Sequence, residues 1–300
     1  FVVRVDGVSF ATFTGGLVKP FDRRLKHAMV AATIDLATKF QPVLAYHHSD
    51  EISLVFLAAQ PPPTDTYGND AVPSAVAPQE HSASAVTKAP KRIKPDADMK
   101  THTYAGRVQK LASVVAAYAS VRFNYHLSRH DWSDRDEKVR ARMTGHEAYF
   151  DGRVVPVPDV TTAMDCIFWR SNFDGFRNSV SGIAQHHFKH TQLQNKNLPQ
   201  LLDMLAGLNI NVMDTYGPKY LFGTWVKKES YFVKAKDLDL PPEALKRLAP
   251  DSLVSRRRVR TGSFNWADYS AEERTKFLAA KFWPDDERAP PKDDLPEAEK

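Results

Sequence analysis

Residues 1–6 alternate in character and are rich in Val, the signature of a β-strand, and Gly7 breaks the run. Gly15, Gly16 and Pro20 then mark a loop. From Asp22 the period changes. Leu25, Met29, Ala32, Leu36 and Phe40 recur at spacings of four and three, which predicts a helix with Asp22 as its N-cap and Pro42 as its stop. Residues 43–46 and 52–57 read as two further strands. The short polar link His47-His48-Ser49-Asp50-Glu51 makes them a hairpin with Asp50 near its tip.

Residues 60–98 have no hydrophobic period and hold seven of the twenty prolines, which predicts a disordered insertion within one domain. A long helix resumes over 106–126, with Leu111, Val114, Tyr118, Val121 and Tyr125 as its apolar stripe. Residues 150–153 read as turn-rich, followed by a short run to Val157. Another helix is expected over 172–188, with Phe176, Val180, Ile183 and His187 on one face and Asp174, Asn178, Ser181 and Gln185 on the other. Pro199 suits the first turn of a short helix carrying Leu201, Leu202 and Leu205. Residues 220–231 read as a strand. The order strand, helix, hairpin, helix, strand predicts an α+β fold: an antiparallel sheet with helices on one face, for which a βαββαβ palm fits. No Gly-x-Gly-x-x-Gly follows a strand, which argues against a dinucleotide-binding fold.

The expected organisation is a palm-type domain over 1–58 and 104–232, the insertion at 60–98, a helical, basic and aromatic extension over 233–283, and a disordered, acidic, Pro-rich tail over 284–300. The extension carries Arg256, Arg257, Arg258 and Arg260, followed by Phe264, Trp266 and Tyr269; its arginines read equally as a phosphate track or a solvated patch. The 300 residues are 42% hydrophobic and 26% charged, an ordinary globular balance. No apolar run reaches the roughly 18–20 residues a membrane span needs. The net charge of +5 tilts mildly toward polyanions such as nucleotides or RNA. One cysteine, Cys166, excludes an internal disulfide and fits a reducing, intracellular setting, cytoplasmic or organellar. The chain opens directly on a strand without Met, so residues upstream are expected.

Asp6 at a strand end and Asp50 with Glu51 on the hairpin are the first candidates for chemistry. Neighbouring antiparallel strands can bring such carboxylates together, and with a backbone carbonyl at Gly7 they form a hard-oxygen site suited to Mg2+ and phosphoryl or nucleotidyl transfer. Both segments also read as ordinary turns. Lys19 and Asp22 either place a cation and a helix N-terminus near a phosphate or simply start a capped helix. Arg107 and Lys110 share one side of a helix, as a triphosphate clamp or as a solvated face. The histidine pairs lack a third ligand at zinc spacing, and no nucleophile elbow is present.

Several blocks resemble one family. Arg4-Val5-Asp6-Gly7, Lys19-Pro20-Phe21-Asp22 and Tyr46-His47-His48-Ser49-Asp50-Glu51-Ile52-Ser53 are similar to the signature blocks of tRNA-His guanylyltransferases and the related 3′–5′ nucleotide-adding polymerases. Gly106-Arg107-Val108-Gln109-Lys110, Phe150-Asp151-Gly152-Arg153, the stretch from Trp169 to Phe188, Lys196-Asn197 and Gly223-Thr224 follow in the family's order. The resemblance implies a polymerase-type palm in which Asp6 and Asp50 bind two Mg2+ ions with the Gly7 carbonyl, and Glu51 lies close by. It implies that Lys19, Asp22, Ser49, Arg107 and Lys110 hold ATP or GTP, and that Arg153, Asn178 and Lys196 contact tRNA. The implied reaction adds a nucleotide, typically GMP from GTP, to a tRNA 5′ end, within a homotetramer and without a membrane. Phe176 and Ser179 stand where the eukaryotic enzymes carry the His and second Asn of an anticodon-reading block. This form looks like the bacterial, archaeal and phage-like branch, whose members repair 5′-truncated tRNAs on a template. A palm-type nucleotide cyclase and a non-catalytic RNA-binding module are the alternative readings. Pyrophosphate release without RNA marks the first, and salt-sensitive tRNA binding without Mg2+ the second.

Overall fold

The computed structural model describes residues 1–57, 103–238, 243, 249 and 251–293. The insertion expected at 60–98 and the last seven residues of the tail lie outside the described residues. The chain divides into Phe1–Leu57 with Arg107–Lys300 as one unit and Ala58–Gly106 as another. Of the second unit, Thr103–Gly106 forms a 3-10 turn.

The first unit runs β1 (Val2–Gly7), α1 (Phe10–Phe13), α2 (Arg23–Phe40), β2 (Leu44–His48), β3 (Glu51–Val55), α3 (Val108–Ser128), α4 (Glu137–Thr144) and β4 (Phe150–Val155). It continues with α5 (Val160–Trp169), α6 (Phe176–His187), α7 (His190–Leu193), α8 (Leu198–Ala206), α9 (Val212–Tyr216), α10 (Pro218–Leu221), β5 (Thr224–Lys234), β6 (Leu253–Gly262) and α11 (Ala271–Ala279). The strands form one antiparallel sheet in the order β4-β1-β3-β2-β5-β6. Its first four strands, with α2 and α3, make the βαββαβ motif expected of a palm.

The strand that completes the motif is β4, where a turn-rich patch was expected. Its Asp, Gly and Arg hide the strand pattern because β4 is an edge strand. Gly152 is required there: a Cβ would stand 2.4 Å from the Ala112 carbonyl oxygen of α3. The apolar stripe of α3 also differs from expectation. Leu111, Val115, Ala116, Ala119, Phe123 and Leu127 are buried, whereas Val121 and Tyr125 are exposed. Ala112 and Ala116 let the helix lie close to β4 at Gly152, while Val121 and Tyr125 turn outward. In α6, His187 is exposed instead of joining the apolar face.

Helices cover both faces of the sheet, not one alone. On the second face Val2, Leu44, Tyr46, Val55 and Trp225 pack with Ala163, Met164 and Ile167 of α5, with Phe277 and Leu278 of α11, and with Phe264, Trp266 and Trp283. Each large apolar side chain buried in such a core contributes roughly 1.5–3 kcal/mol. The extension thus closes a core, and its arginine run forms strand β6 against β5. Residues 284–293, expected to be disordered with the rest of the tail, return to that strand. Asp293 N–H donates to the Thr261 carbonyl at 2.8 Å, and the Trp283 indole N–H to that of Pro290 at 2.9 Å.

The helix expected at 172–188 is the end of a longer one. α5 runs into α6 through a wider π-helical turn, Arg170–Gly175. The turn changes the helical phase so that Arg170 and Asp174 both face the sheet end where β1 and β3 meet the hairpin. Among the described residues, no helix is long and apolar enough to cross a membrane.

Candidate active site

β1 and β3 bring the sequence-predicted carboxylates together. Asp6 lies directly opposite Glu51 in the register, and the Gly7 N–H donates to the Asp50 carbonyl at 3.1 Å. Asp50 occupies the hairpin turn beside Ser49, whose φ of 54° lies in the left-handed region. Burial pushes the Asp50 carboxyl above the ordinary carboxylate range, and the neighbouring Asp6 charge adds to the rise. Burial also pushes Glu51 up, while Arg4 and Arg170 pull it only part of the way back.

Two arginines that the sequence argument gave no role complete this cluster. Arg4 bridges Asp6 at 2.8 Å and Glu51 at 2.7 Å. Arg170 reaches Glu51 at 3.0 Å and Asp174 at 2.8 Å, and Arg177 holds the other oxygen of Asp174 at 2.6 Å. Two signals could have found them: the Arg4-x-Asp6 spacing, which puts both on one strand face, and the Arg170-x-x-x-Asp174 pair. Gly175 closes the π-helical turn where a Cβ would lie 2.8 Å from the Arg170 carbonyl oxygen and 3.2 Å from His48 Nδ1. His48 donates from Nε2 to Ser179 Oγ at 2.9 Å, because that hydroxyl already donates to the Tyr220 carbonyl. Burial pulls His48 down to about 4, so it is neutral at pH 7.

A cleft of about 360 Å3 opens beside the hairpin, within the size range of small-molecule sites. Lys19 and Phe21 from the loop before α2, Lys26 of α2, Ser49 and Asp50 of the hairpin, and Asn178 of α6 line it. A smaller cavity of about 140 Å3 behind the hairpin holds Arg4, Asp6, Glu51, Arg170 and Asp174. The two share His48, Ser49, Asp50 and Asn178.

Asp22 borders the cleft, but its oxygens are engaged. They accept from the Val18 and Arg24 N–H groups and from the Arg24 guanidinium. Burial raises its carboxyl, yet the Arg24 and main-chain hydrogen bonds outweigh that and leave it below the usual range. The N-cap reading therefore describes its side chain. Arg107 and Lys110 do not line the cleft. α3 runs against β4 with Ser120 at Phe150 and Ala112 at Gly152, so its first turn points toward the Val155 end. Asp6 pairs with Asp151 at the other end, about 13 Å away along the strand. Arg153 is exposed on the edge strand and pairs with Asp151 at 3.1 Å; Lys196 is exposed between α7 and α8.

The donor chemistry fits a hard divalent cation: two acidic side chains line one small cavity, and burial, with the Asp6 charge adding to it, raises the Asp50 carboxyl. Among the described residues, no group of three or more His, Cys, Asp or Glu side chains gathers as a metal cluster. Asp6, Asp50 and the Gly7 carbonyl are the residues that would hold such a cation.

A palm-like antiparallel sheet with acidic residues at its strand ends, opening on a cleft of nucleotide size, defines a nucleotidyl-transferring class of protein. The family model described as tRNAHis guanylyltransferase (Thg1) matches residues 1–158, more than half of the chain. The chain is 27% identical to a bacterial tRNA(His) guanylyltransferase (Thg1)-like protein solved with ATP, with a TM-score of 0.54 and coverage of 76% of this chain and 77% of that one. The Saccharomyces cerevisiae tRNA(His) guanylyltransferase shares the fold at 19% identity, with a TM-score of 0.51 and coverage of 75% and 84%. An uncharacterised protein of Acanthamoeba polyphaga mimivirus is 29% identical over 235 residues, 76% of this chain and 70% of that protein. The chain belongs to the tRNAHis guanylyltransferase family, and it is a nucleotidyltransferase of the tRNA guanylyltransferase type.

Proposed function

We propose that the protein adds nucleotides to the 5′ end of tRNA in the 3′–5′ direction, with Mg2+ held by Asp6, Asp50 and the Gly7 carbonyl. The observation that carries this reading is that Asp6 and Asp50 line one small cavity, that the Gly7 N–H bonds the Asp50 carbonyl, and that Asp50 also faces the neighbouring cleft. Bound there, a divalent cation would supply screening for the negative charge that builds up as a nucleotide 3′-hydroxyl attacks a 5′-phosphate. Arg4 and Arg170 hold Glu51 against Asp6 and fix the direction of both carboxylates. Lys19 and Ser49 line the cleft where phosphates of ATP or GTP would approach the carboxylates, and Asn178 stands where cleft and rear cavity join, within reach of a tRNA end. Arg153 and Lys196 offer exposed charge to tRNA phosphates beyond the site. Arg107 and Lys110 lie too far along α3 for their own cleft; in the homotetramer that we carry over from the resemblance they would serve a neighbouring copy.

Phe176 favours repair of 5′-truncated tRNAs over reading of one anticodon. Its ring stacks flat on Phe222, with centroids 5.3 Å apart, and it packs with the α6–α8 apolar cluster. A ring so placed supports packing and offers no hydrogen bond to an anticodon base. The test is extension of labelled tRNA with ATP, GTP and Mg2+, comparing full-length tRNA-His with 5′-truncated tRNAs. Faster extension of truncated tRNAs is expected; addition only to tRNA-His would contradict the repair reading. No addition to any tRNA would contradict the function.

A further inference from the structure

A third cavity, of about 460 Å3, lies between α5 and the strands β1, β3 and β4. The proposed reaction does not use it. Val2, Val155 and Ile167 give it apolar walls, and Trp169 stands at its side with 51% of its surface exposed. The chain holds five tryptophans, and Trp132, Trp225, Trp266 and Trp283 are all buried. A large ring left in solvent on an apolar wall marks a binding surface.

Two arginines join this cavity to the acidic cluster. Arg4 and Arg170 line both it and the smaller cavity that holds Asp6 and Asp50. Arg4 stands two residues before Asp6, about 7 Å along the strand. Two stacked nucleotides rise by about the same distance. Both guanidiniums reach Glu51 through a terminal nitrogen. The Arg4 Nε is buried and has no acceptor among the described residues. A ligand that brings an acceptor to such a donor recovers the free energy lost by leaving it unpaired. Arg170 Cζ lies 5.7 Å from the Trp169 ring centre, so a stacking surface and a cation stand together.

A nucleobase answers all three features: it has a flat π face, ring acceptors and an affinity for cationic edges. With the 5′ end held at Asp6 and Asp50, the nearest unpaired bases belong to the opposite strand. That strand is single wherever 5′ nucleotides are missing. Every base has a π face, so stacking tolerates any sequence, as a template requires.

We infer that Trp169 stacks an unpaired base of the RNA 3′ strand in this cavity, beside the 5′ end under addition. This inference rests on the tRNA 5′-end reading of the carboxylate site.

Two side chains report on the cavity directly. Trp169 is the exposed tryptophan, and Cys166, the sole cysteine, is exposed on the same wall. The test measures acrylamide quenching of tryptophan emission and alkylation of Cys166 in the full chain. The probes are an RNA hairpin with a short single-stranded 3′ extension, the same hairpin blunt, and the same hairpin with an abasic extension. The extended hairpin should shield Trp169 and slow Cys166 alkylation several-fold, and the other two should not. Trp169→Ala should weaken binding of the extended hairpin by about tenfold, within the range of one base–aromatic stack, and leave the blunt hairpin unchanged. Trp169→Phe should restore most of the loss. Equal shielding by the abasic RNA would make the cavity a backbone contact and overturn the inference. RNA binding that leaves Trp169 fully quenched would overturn it as well. Shielding that grows with protein concentration in the absence of RNA would assign the cavity to a second copy of the chain, with the same consequence. The native-protein measurements decide the matter even if a variant does not fold. Native protein that binds none of the RNAs would instead overturn the functional reading, and the inference with it.

Discussion

Two clusters of arginine and carboxylate lie on the same face of the sheet and behave in opposite ways. At the outer strands Glu229 is buried among Lys292 at 2.7 Å, Arg258 at 2.6 Å and Arg260 at 3.9 Å. Burial alone would raise its carboxyl, but the Lys292 and Arg258 hydrogen bonds outweigh burial and lower it. At the β1–β3 end Glu51 has two arginines and is still raised, because burial dominates and the Asp6 charge adds a little to it. Asp50 is also raised, and among the described residues no guanidinium forms an ion pair with it. One buried carboxylate among three cations, with only the exposed Asp285 among the described residues also reaching Lys292, makes a structural clasp. Asp6, Asp50, Glu51 and Asp174 around Arg4, Arg170 and Arg177 leave negative charge that a ligand cation can answer. The lesson is that the balance of charge, and not the mere presence of ion pairs, separates a functional cluster from a structural one.

The sharpest way to break this contrast is substitution of the acidic pair. Asp6→Ala and Asp50→Ala should each reduce 5′ nucleotide addition by at least about 10^3-fold, the scale of several kcal/mol of charge stabilisation. Their thermal unfolding should stay cooperative. Either variant extending tRNA at the native rate would remove the functional reading of that cluster. At the other cluster, Glu229→Ala leaves the cations unanswered and should cost about 3 kcal/mol in urea unfolding, with activity of the folded protein unchanged. A smaller effect comes from Gly175→Ala. The added methyl meets the Arg170 carbonyl and His48, so a loss of about 1–2 kcal/mol is expected, together with slower nucleotide addition as Arg170 and Asp174 shift.

The smallest effect concerns Lys26, a cation without a carboxylate. Its folded value of about 7 lies below its unfolded one, so the unfolded chain binds more protons between about pH 7 and pH 10.4. Stability therefore rises with pH across that window. Lys26→Met, which has no proton to lose, should melt higher than the native protein at pH 6, and the difference should fade toward pH 10. A constant difference would place the native ammonium in a solvated setting. The carboxyl pair sets the opposite limit on activity. Because Asp50 is raised, protonation begins at a higher pH than for a free carboxyl, so cation binding should weaken as the pH falls through that raised value.

Local pattern explains what was legible from the residues. The strand 1–6, the capped helix from Asp22 and the hairpin around Asp50 each carry their period and turn chemistry within a short window. Together they gave the βαββ order and the acidic pair. The edge strand β4 was hidden because its open side tolerates Asp and Arg, and its Gly152 answers to a helix distant in sequence. The π-helical turn at Arg170–Gly175 breaks the 3.6-residue period on which helix faces are read, so the Arg170–Asp174 spacing signals a pair but not the sheet end that it faces. The arginine run at 256–260 divides by strand alternation: Arg258 and Arg260 turn to Glu229, while Arg257 reaches the Phe282 ring. Alternation in β6 was masked by charge on both faces. Position along α3, which keeps Arg107 and Lys110 from their own cleft, depends on packing against β4 and not on their spacing.

The direct test of the acidic pair is titration of Mn2+ into the full chain in the presence of GTP, followed by electron paramagnetic resonance, for the native protein, Asp6→Asn and Asp50→Asn. The account predicts two tightly held ions in the native protein and loss of at least one in each variant. Equal Mn2+ occupancy in all three proteins would contradict it.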